Sequence, residues 1–261
     1  MDVIIIGAGI GGLTLGLMLH RAGIPCRIYE STQELKAVGV GISVLPHASR
    51  ELVGLGLEEA LANVAVTTRE FCFYNRYGQF IYREPAGRYA GYEYPMFSIH
   101  RGDLQMVLLD AFIKRAGADR VITGWRCTGV DAESGTAHFV DAASGAALPS
   151  QQGRAVVSCE GIHSVVRKQL YPDEGPPKYA GINMWRGVTR WKPIASGASM
   201  MRIGWHHPAK VLLYPIRNNI DSEGRQLFNW VIDIETPEYQ KNEDRKSTRL
   251  NSSHLGISYA V

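Results

Sequence analysis

Residues 2–30, D-V-I-I-I-G-A-G-I-G-G-L-T-L-G-L-M-L-H-R-A-G-I-P-C-R-I-Y-E, decide the fold. Val3 to Ile6 is an unbroken apolar run, the pattern of a strand buried in a parallel sheet. A glycine turn comes next, and then a helical segment with apolar residues at Ile10, Leu13 and Leu17 and again at Leu15 and Leu19. The helix is expected to stop near Gly23, a suitable left-handed terminator, before a second strand that ends at Glu30. Gly7, Gly9 and Gly12 match G-x-G-x-x-G: the first permits a tight turn, the second admits a pyrophosphate, and the third lets helix and strand pack closely. Such a helix presents its N-terminus to the phosphates. Glu30 stands 18 residues past Gly12, where a carboxylate accepts hydrogen bonds from both hydroxyls of an adenosine ribose. The stretch predicts a dinucleotide site and by itself leaves FAD and NAD open.

The residues beyond Glu30 argue against a plain NAD-dependent dehydrogenase. The chain passes into K-A-V-G-V-G-I-S-V-L-P rather than a further βαβ unit, then into a helix expected over Ala48–Leu61. A hairpin is expected at F-C-F-Y-N-R-Y-G-Q-F-I-Y, residues 71–82. In Y-P-M-F-S-I-H-R-G-D-L-Q-M-V-L-L-D-A-F, Arg101 precedes a helix whose apolar positions are Leu104, Val107, Leu108 and Phe112, so its guanidinium can reach a phosphate from the helix start. Residues 154–167, R-A-V-V-S-C-E-G-I-H-S-V-V-R, are a short strand that ends in an acid and a glycine and turns straight into a helix. From Lys178 the pattern changes to strands: I-N-M-W-R-G-V-T-R-W, S-M-M-R-I-G-W, K-V-L-L-Y-P-I and Q-L-F-N-W-V-I-D-I.

Composition excludes several function classes. Lys plus Arg total 28 against 25 for Asp plus Glu, and the net +3 is dispersed, which points away from nucleic acid. Cys26, Cys72, Cys127 and Cys159 are widely spaced with no C-x-x-C pair, against a zinc site, a redox disulfide or a secreted disulfide framework. His206-His207 before Pro208 reads as a polar turn, so no metal site is expected. The apolar N-terminus lacks a basic leader region and is broken by glycines, unlike a signal peptide, and no stretch approaches the roughly 18 apolar residues of a membrane span. A cytoplasmic location is the expectation.

The stretches G-A-G-I-G-G…E, S-I-H-R-G-D-L-Q and E-G-I-H-S-V-V-R, in that order, resemble the class A flavoprotein monooxygenases, the FAD-dependent aromatic hydroxylases built like 4-hydroxybenzoate hydroxylase. Through Y-P-M-F-S-I-H-R-G-D-L-Q-M and G-I-N-M-W-R-G-V-T the chain is similar to the phenazine-modifying branch, of the 5-methylphenazine-1-carboxylate 1-monooxygenase type. The resemblance spans about residues 1–243. It implies an α/β fold: a Rossmann-like FAD-binding domain over 1–175 with a β-hairpin excursion near 70–95, and a mostly antiparallel substrate-domain sheet over 176–243. It implies FAD as cofactor, NADPH or NADH as co-substrate, and hydroxylation of an aromatic small molecule by O2 via a flavin C4a-hydroperoxide, with no protein nucleophile. Gly7, Gly9, Gly12 and Glu30 would hold the ADP half, Arg101 and Gln105 the pyrophosphate and ribityl region, and Glu160 and Gly161 the flavin side. Where the family reads A-D-G, this chain has Cys159-Glu160-Gly161, one methylene longer at the acid. Trp185, Arg186 and Tyr214 are the candidates for the ring-binding face.

Two rivals of the same fold are another FAD-dependent oxidoreductase and a halogenase, whose W-x-W-x-I-P segment does not occur. The family's third flavin motif, a G-D-A-A-H-like segment, is absent after Glu243. Residues 244–254, D-R-K-S-T-R-L-N-S-S-H, coincide with the translation of a sequencing-adapter oligonucleotide, so a non-native tail is expected over 244–261 and a C-terminally incomplete substrate domain before it. On that reading the 261-residue chain is a fragment that binds FAD weakly and is inactive.

Overall fold

The computed structural model describes residues 1–237 and the strand residues 256–257. In chain order the elements begin with β1 (Val3–Ile6), α1 (Ile10–Arg21), β2 (Cys26–Tyr29), β3 (Gly41–Val44), α2 (Pro46–Gly54), α3 (Glu58–Val64) and β4 (Ala65–Thr67). They continue with β5 (Glu70–Tyr74), β6 (Phe80–Pro85), β7 (Phe97–His100), α4 (Arg101–Ala116), β8 (Val121–Ile122), β9 (Trp125–Asp131), β10 (Thr136–Asp141) and β11 (Ala147–Gln152). The last are β12 (Ala155–Ser158), α5 (Val165–Leu170), β13 (Ile182–Trp191), β14 (Ser199–Ile203), β15 (Ala209–Arg217), β16 (Gln226–Glu235) and β17 (Gly256–Ile257). Apart from β17, the tail expected over 244–261 lies outside the described residues. No helix among the described residues is long and apolar enough to cross a membrane.

The chain divides into two units. The first joins Met1–Ala37 to Leu104–Pro177. Its four-stranded sheet, order β12-β1-β2-β8, is parallel throughout. Successive side chains alternate between its faces. Ile5 and Ile28 face the helices, where Gly16 of α1 lets Phe112 of α4 close in: a Cβ on Gly16 would lie 2.8 Å from the Phe112 ring. Ile4, Ile6 and Tyr29 face the antiparallel sheet β9–β11 and pack with Cys127, Ala137 and Phe139. Tyr29 stacks on Phe139 at 4.7 Å between ring centroids.

The second unit joins Val38–Asp103 to the chain from Lys178 on. Residues 38–103, expected within the FAD-binding domain, thus group with the later strands. The cause is a pairing remote in sequence: β5 lies parallel to β14, Glu70 opposite Ser199 and Tyr74 opposite Ile203, so the hairpin β5–β6 extends the sheet β13–β16. The full order is β17-β13-β16-β15-β14-β5-β6. A three-stranded sheet, β3-β7-β4, belongs to the same unit. The helix expected over Ala48–Leu61 is two helices, α2 and α3, because Gly56 adopts φ +73 between them.

Candidate functional site

In the first unit the glycine turn is built by steric need at two positions and left open at the third. Gly7 has φ +103, and a Cβ there would lie 2.6 Å from the Cys159 carbonyl oxygen, so only glycine fits between β1 and the end of β12. A Cβ on Gly12 would lie 2.0 Å from the Gly7 carbonyl oxygen. Around Gly9 there is nothing within 4 Å, and the same holds for Gly11. Gly9 caps α1 with no side-chain hydrogen bond, and the first turn carries no acid, so this 12-residue helix presents its N–H groups without an internal anion.

Two sequence-predicted residues meet on one peptide unit. The Ala8 N–H donates to Glu30 Oε2 at 2.8 Å, and the Ala8 carbonyl accepts from Gln105 Nε2 at 2.8 Å. Ala8 is therefore clamped from both sides, which fixes the Gly7–Gly9 turn. Glu30 Oε1 also accepts from the Thr32 N–H at 2.8 Å and the Ser31 hydroxyl at 3.1 Å, which orients the carboxylate at the tip of β2.

Glu160 is held by its own neighbours. Its carboxylate folds back onto the start of α5, accepting from Ser158 Oγ at 2.8 Å, Ser164 Oγ at 2.7 Å and the Val165 and Val166 N–H groups, each at 3.3 Å. Ser164 in turn accepts from the Arg167 N–H at 3.0 Å. Glu160 is a cap for α5, and its extra methylene lets it reach back over that turn. Gly161, at φ +75 with nothing within 4 Å of its Cβ position, leaves the turn open on that side.

In the second unit Arg101 opens α4, its N–H donating to the Val40 carbonyl at 2.8 Å. The exposed Arg101 side chain runs past Gly39, whose Cβ position lies 3.5 Å from Arg101 Cβ. His100 Nε2 bonds the Gly39 carbonyl at 2.9 Å, and His100 Nδ1 lies 3.7 Å from Asp103 Oδ1. Asp103 and the Gly39 carbonyl raise the His100 imidazole above its ordinary value, against burial and Arg217.

The large sheet carries a polar cluster on one face. Across β13, β16 and β15 the register sets Val188, Asn229 and Tyr214 in one row, Arg186, Val231 and Leu212 in the next, and Met184, Asp233 and Lys210 in a third. Arg186 Nη2 donates to the Gly41 carbonyl at 2.9 Å, and the Gly41 N–H donates to Asn229 Oδ1 at 2.8 Å. A Cβ on Gly41 would lie 2.5 Å from Asn229 Cβ, so glycine is required there. Tyr214 is buried, which pushes its phenol up, so it stands as a neutral donor. Arg186 Nε, Asn229 Nδ2 and Asp233 Oδ1 are buried without a hydrogen-bond partner, an arrangement that a polar ligand would complete. Burial also raises the Asp233 carboxyl, against Lys210 and Arg186. Of the three ring-face candidates, Arg186 and Tyr214 share this face; Trp185 points to the opposite one. Asn229, Asp233 and Gly41 went unread in the sequence. For Asn229 and Asp233 the signal is an Asn and an Asp on one face of a strand whose central residues are otherwise apolar.

The FAD binding domain family matches residues 1–257. The chain belongs to that family of flavin-dependent aromatic hydroxylases. The phenazine 1,6-dicarboxylic acid hydroxylase PhzS of Lysobacter antibioticus is 40% identical over 233 residues, 88% of this chain and 57% of that protein. The aurachin C monooxygenase/isomerase of Stigmatella aurantiaca is 37% identical over 190 residues, 72% of this chain and 47% of the relative. The crystal structure of Klebsiella pneumoniae HpxO with FAD and uric acid matches with a TM-score of 0.73 at 25% identity, over 95% of this chain and 60% of that one. The chain spans about half the length of the curated relatives it matches. The family's cofactor fits the first unit: the free N–H groups of an uncapped helix N-terminus beside an open Gly9 suit a diphosphate, and an oriented carboxylate at a strand tip is an acceptor for the hydroxyls of an adenosine ribose.

Proposed function

We propose that the protein from which this chain derives is an FAD-dependent monooxygenase of an aromatic acid, consuming NAD(P)H and O2. The observation that carries this reading is the Ala8 peptide, clamped by Glu30 and Gln105 beside an open Gly9 and an uncapped α1. Bound FAD, reduced by NAD(P)H, supplies oxygen transfer to an electron-rich ring. The chain's residues bind and orient. Glu30 accepts from the adenosine ribose hydroxyls, and Gly7, Gly9 and Gly12 bring the α1 N–H groups to the diphosphate. Gln105 holds the turn. Gly161 offers a backbone surface to the flavin side, and Glu160 supports it by capping α5.

Arg186 and Asn229 lend unpaired N–H donors to an acidic or carbonyl substituent of the ring, and Tyr214 lends its neutral phenol. Trp185 supports the opposite face of β13. That relatives act on phenazine 1,6-dicarboxylic acid and on 3-amino-4-hydroxybenzoate favours an aromatic acid for this chemistry.

The test is NAD(P)H oxidation by the full-length parent across a panel of phenols and phenazine carboxylates, with hydroxylated product identified by mass. Aromatic-stimulated oxidation, and a KM raised at least about tenfold by Arg186→Gln, are expected for a charge-assisted hydrogen bond. A yellow, fully flavinylated parent that no aromatic stimulates overturns the reading.

A further inference from the structure

The second unit contains a recess of about 840 Å³ that none of the roles above uses. Three segments of the chain wall it: the start of α2, the end of β6, and the loop from Ala90 to Met96. That volume falls among those of small-molecule sites, roughly 300–1,000 Å³.

The walls are built features. Arg88 ties the loop in two directions, to Glu58 of α3 at 2.5 Å and to the Glu93 carbonyl at 3.0 Å. Ser49 of α2 donates to the Pro95 carbonyl at 2.5 Å. Gly87, at φ +54, lets the end of β6 seat on Met96, whose backbone nitrogen lies 2.5 Å from the position of a Gly87 Cβ.

The floor is apolar and the rim aromatic. Ala86 and Met96 are buried, and with the half-buried Phe71 they belong to the cluster that packs Tyr214. The recess floor and Tyr214 thus share one apolar cluster. Tyr92, 61% exposed, and the half-buried Tyr94 form the rim. A planar ring gains by lying between such surfaces.

Charge is divided between the walls. Arg50 stands on the α2 side, and Glu84 and Glu93 stand on the β6 and loop sides. Arg50 bonds its neighbour Glu51 at 2.8–2.9 Å, but both are exposed, and such a surface pair exchanges readily for a ligand carboxylate.

We propose that this recess is a docking site for a planar amino-aromatic acid, with its carboxylate on Arg50, its amino N–H groups on Glu84 and its ring against Phe71, Met96 and Tyr94. The class of ligand rests on the proposed function; the recess and its charge pattern do not. A ligand held there is screened for acid, amine and flatness.

The experiment is calorimetric titration of the 261-residue chain with 3-amino-2-naphthoate, 2-naphthoate and 2-aminonaphthalene. Saturable binding of the first is expected, about tenfold weaker for each probe lacking the acid or the amine. Arg50→Gln should weaken the two acids about tenfold and leave 2-aminonaphthalene unchanged. Ala90→Trp, which fills the recess from an exposed position, should abolish the Arg50-dependent binding, whereas Arg186→Gln should leave that Arg50-dependent binding in place. Binding that survives both Ala90→Trp and Arg50→Gln overturns the proposal, as does no saturable binding of any probe. If Arg186→Gln alone abolishes binding, the acid sits on the sheet face: the recess proposal fails and the proposed function stands. If the parent hydroxylates nothing while the recess variants behave as stated, the reverse holds.

Discussion

Gly9 and Gly12 sit three residues apart in one motif, yet the structure gives them opposite duties, and alanine at each separates the two. At Gly12 the added Cβ would lie 2.0 Å from the Gly7 carbonyl oxygen, where Cβ contacts under 3.0 Å are essentially never seen, so two backbone segments must part by at least 1.0 Å. Overpacking of that kind costs about 1–3 kcal/mol, here toward the upper end because neither atom can rotate away. The gain from replacing a helical glycine returns roughly 0.5–1 kcal/mol. The net loss is about 2 kcal/mol, or a fall in Tm of about 4–8 °C for a chain of this size. At Gly9 φ is −71 and ψ −178, which alanine adopts freely, and nothing lies within 4 Å. Gly9→Ala should lower Tm by less than about 4 °C, since the loss of the cap preference of glycine over alanine, about 1 kcal/mol, is partly offset by the smaller backbone entropy of an unfolded alanine. It should also lower the FAD affinity of the full-length parent at least about tenfold by closing the phosphate approach. Circular-dichroism melts of the chain and flavin-fluorescence titration of the parent read the two effects. A Gly12→Ala protein that melts like wild type, or a Gly9→Ala parent that binds FAD like wild type, refutes the assignment of duties.

Three further outcomes are expected. Asn229→Ala leaves the buried Gly41 N–H without its acceptor and should cost about 1–3 kcal/mol in a urea melt, with an unchanged m-value. Glu160→Asp draws the carboxylate back from the Val165 and Val166 N–H groups and should lower stability by about 1 kcal/mol; an unchanged melt would show that the cap is idle. His100 titrates higher in the fold than unfolded because of Asp103 and the Gly39 carbonyl, so its stabilisation is complete below the unfolded value and is lost as pH rises through the folded one. Urea melts of wild type and His100→Gln across a pH series should show a gap that closes over that interval; a gap that widens with pH contradicts the assignment.

The first 30 residues are legible because their information is local: an apolar run, a glycine turn and a helical period occupy one contiguous βαβ unit. Glu30 and Gln105 are legible as residue types at motif positions, but their meeting on Ala8 is tertiary. The grouping of residues 38–103 with the later strands is hidden because β5 and β14 pair across some 129 positions, and no local pattern announces a partner so remote. Glu160 shows a second limit. Sequence reveals an acid before Gly161, while the direction its carboxylate takes depends on Ser158 and Ser164 folding around it. Trp185 and Arg186 show a third: adjacent strand residues necessarily face opposite ways, and which one faces the polar cluster is settled by the register with β16.

On the proposed function, the N-terminal cluster holds the adenosine end of FAD through Glu30. The most direct test of this claim is the affinity of the full-length parent for FAD and for FMN, which lacks the adenosine, with and without Glu30→Ala. In the wild type FAD should bind far more tightly than FMN, and in the variant FAD affinity should fall toward that of FMN while FMN affinity is unmoved. Equal affinity for the two flavins in the wild type, or undiminished FAD binding by Glu30→Ala, would contradict the claim.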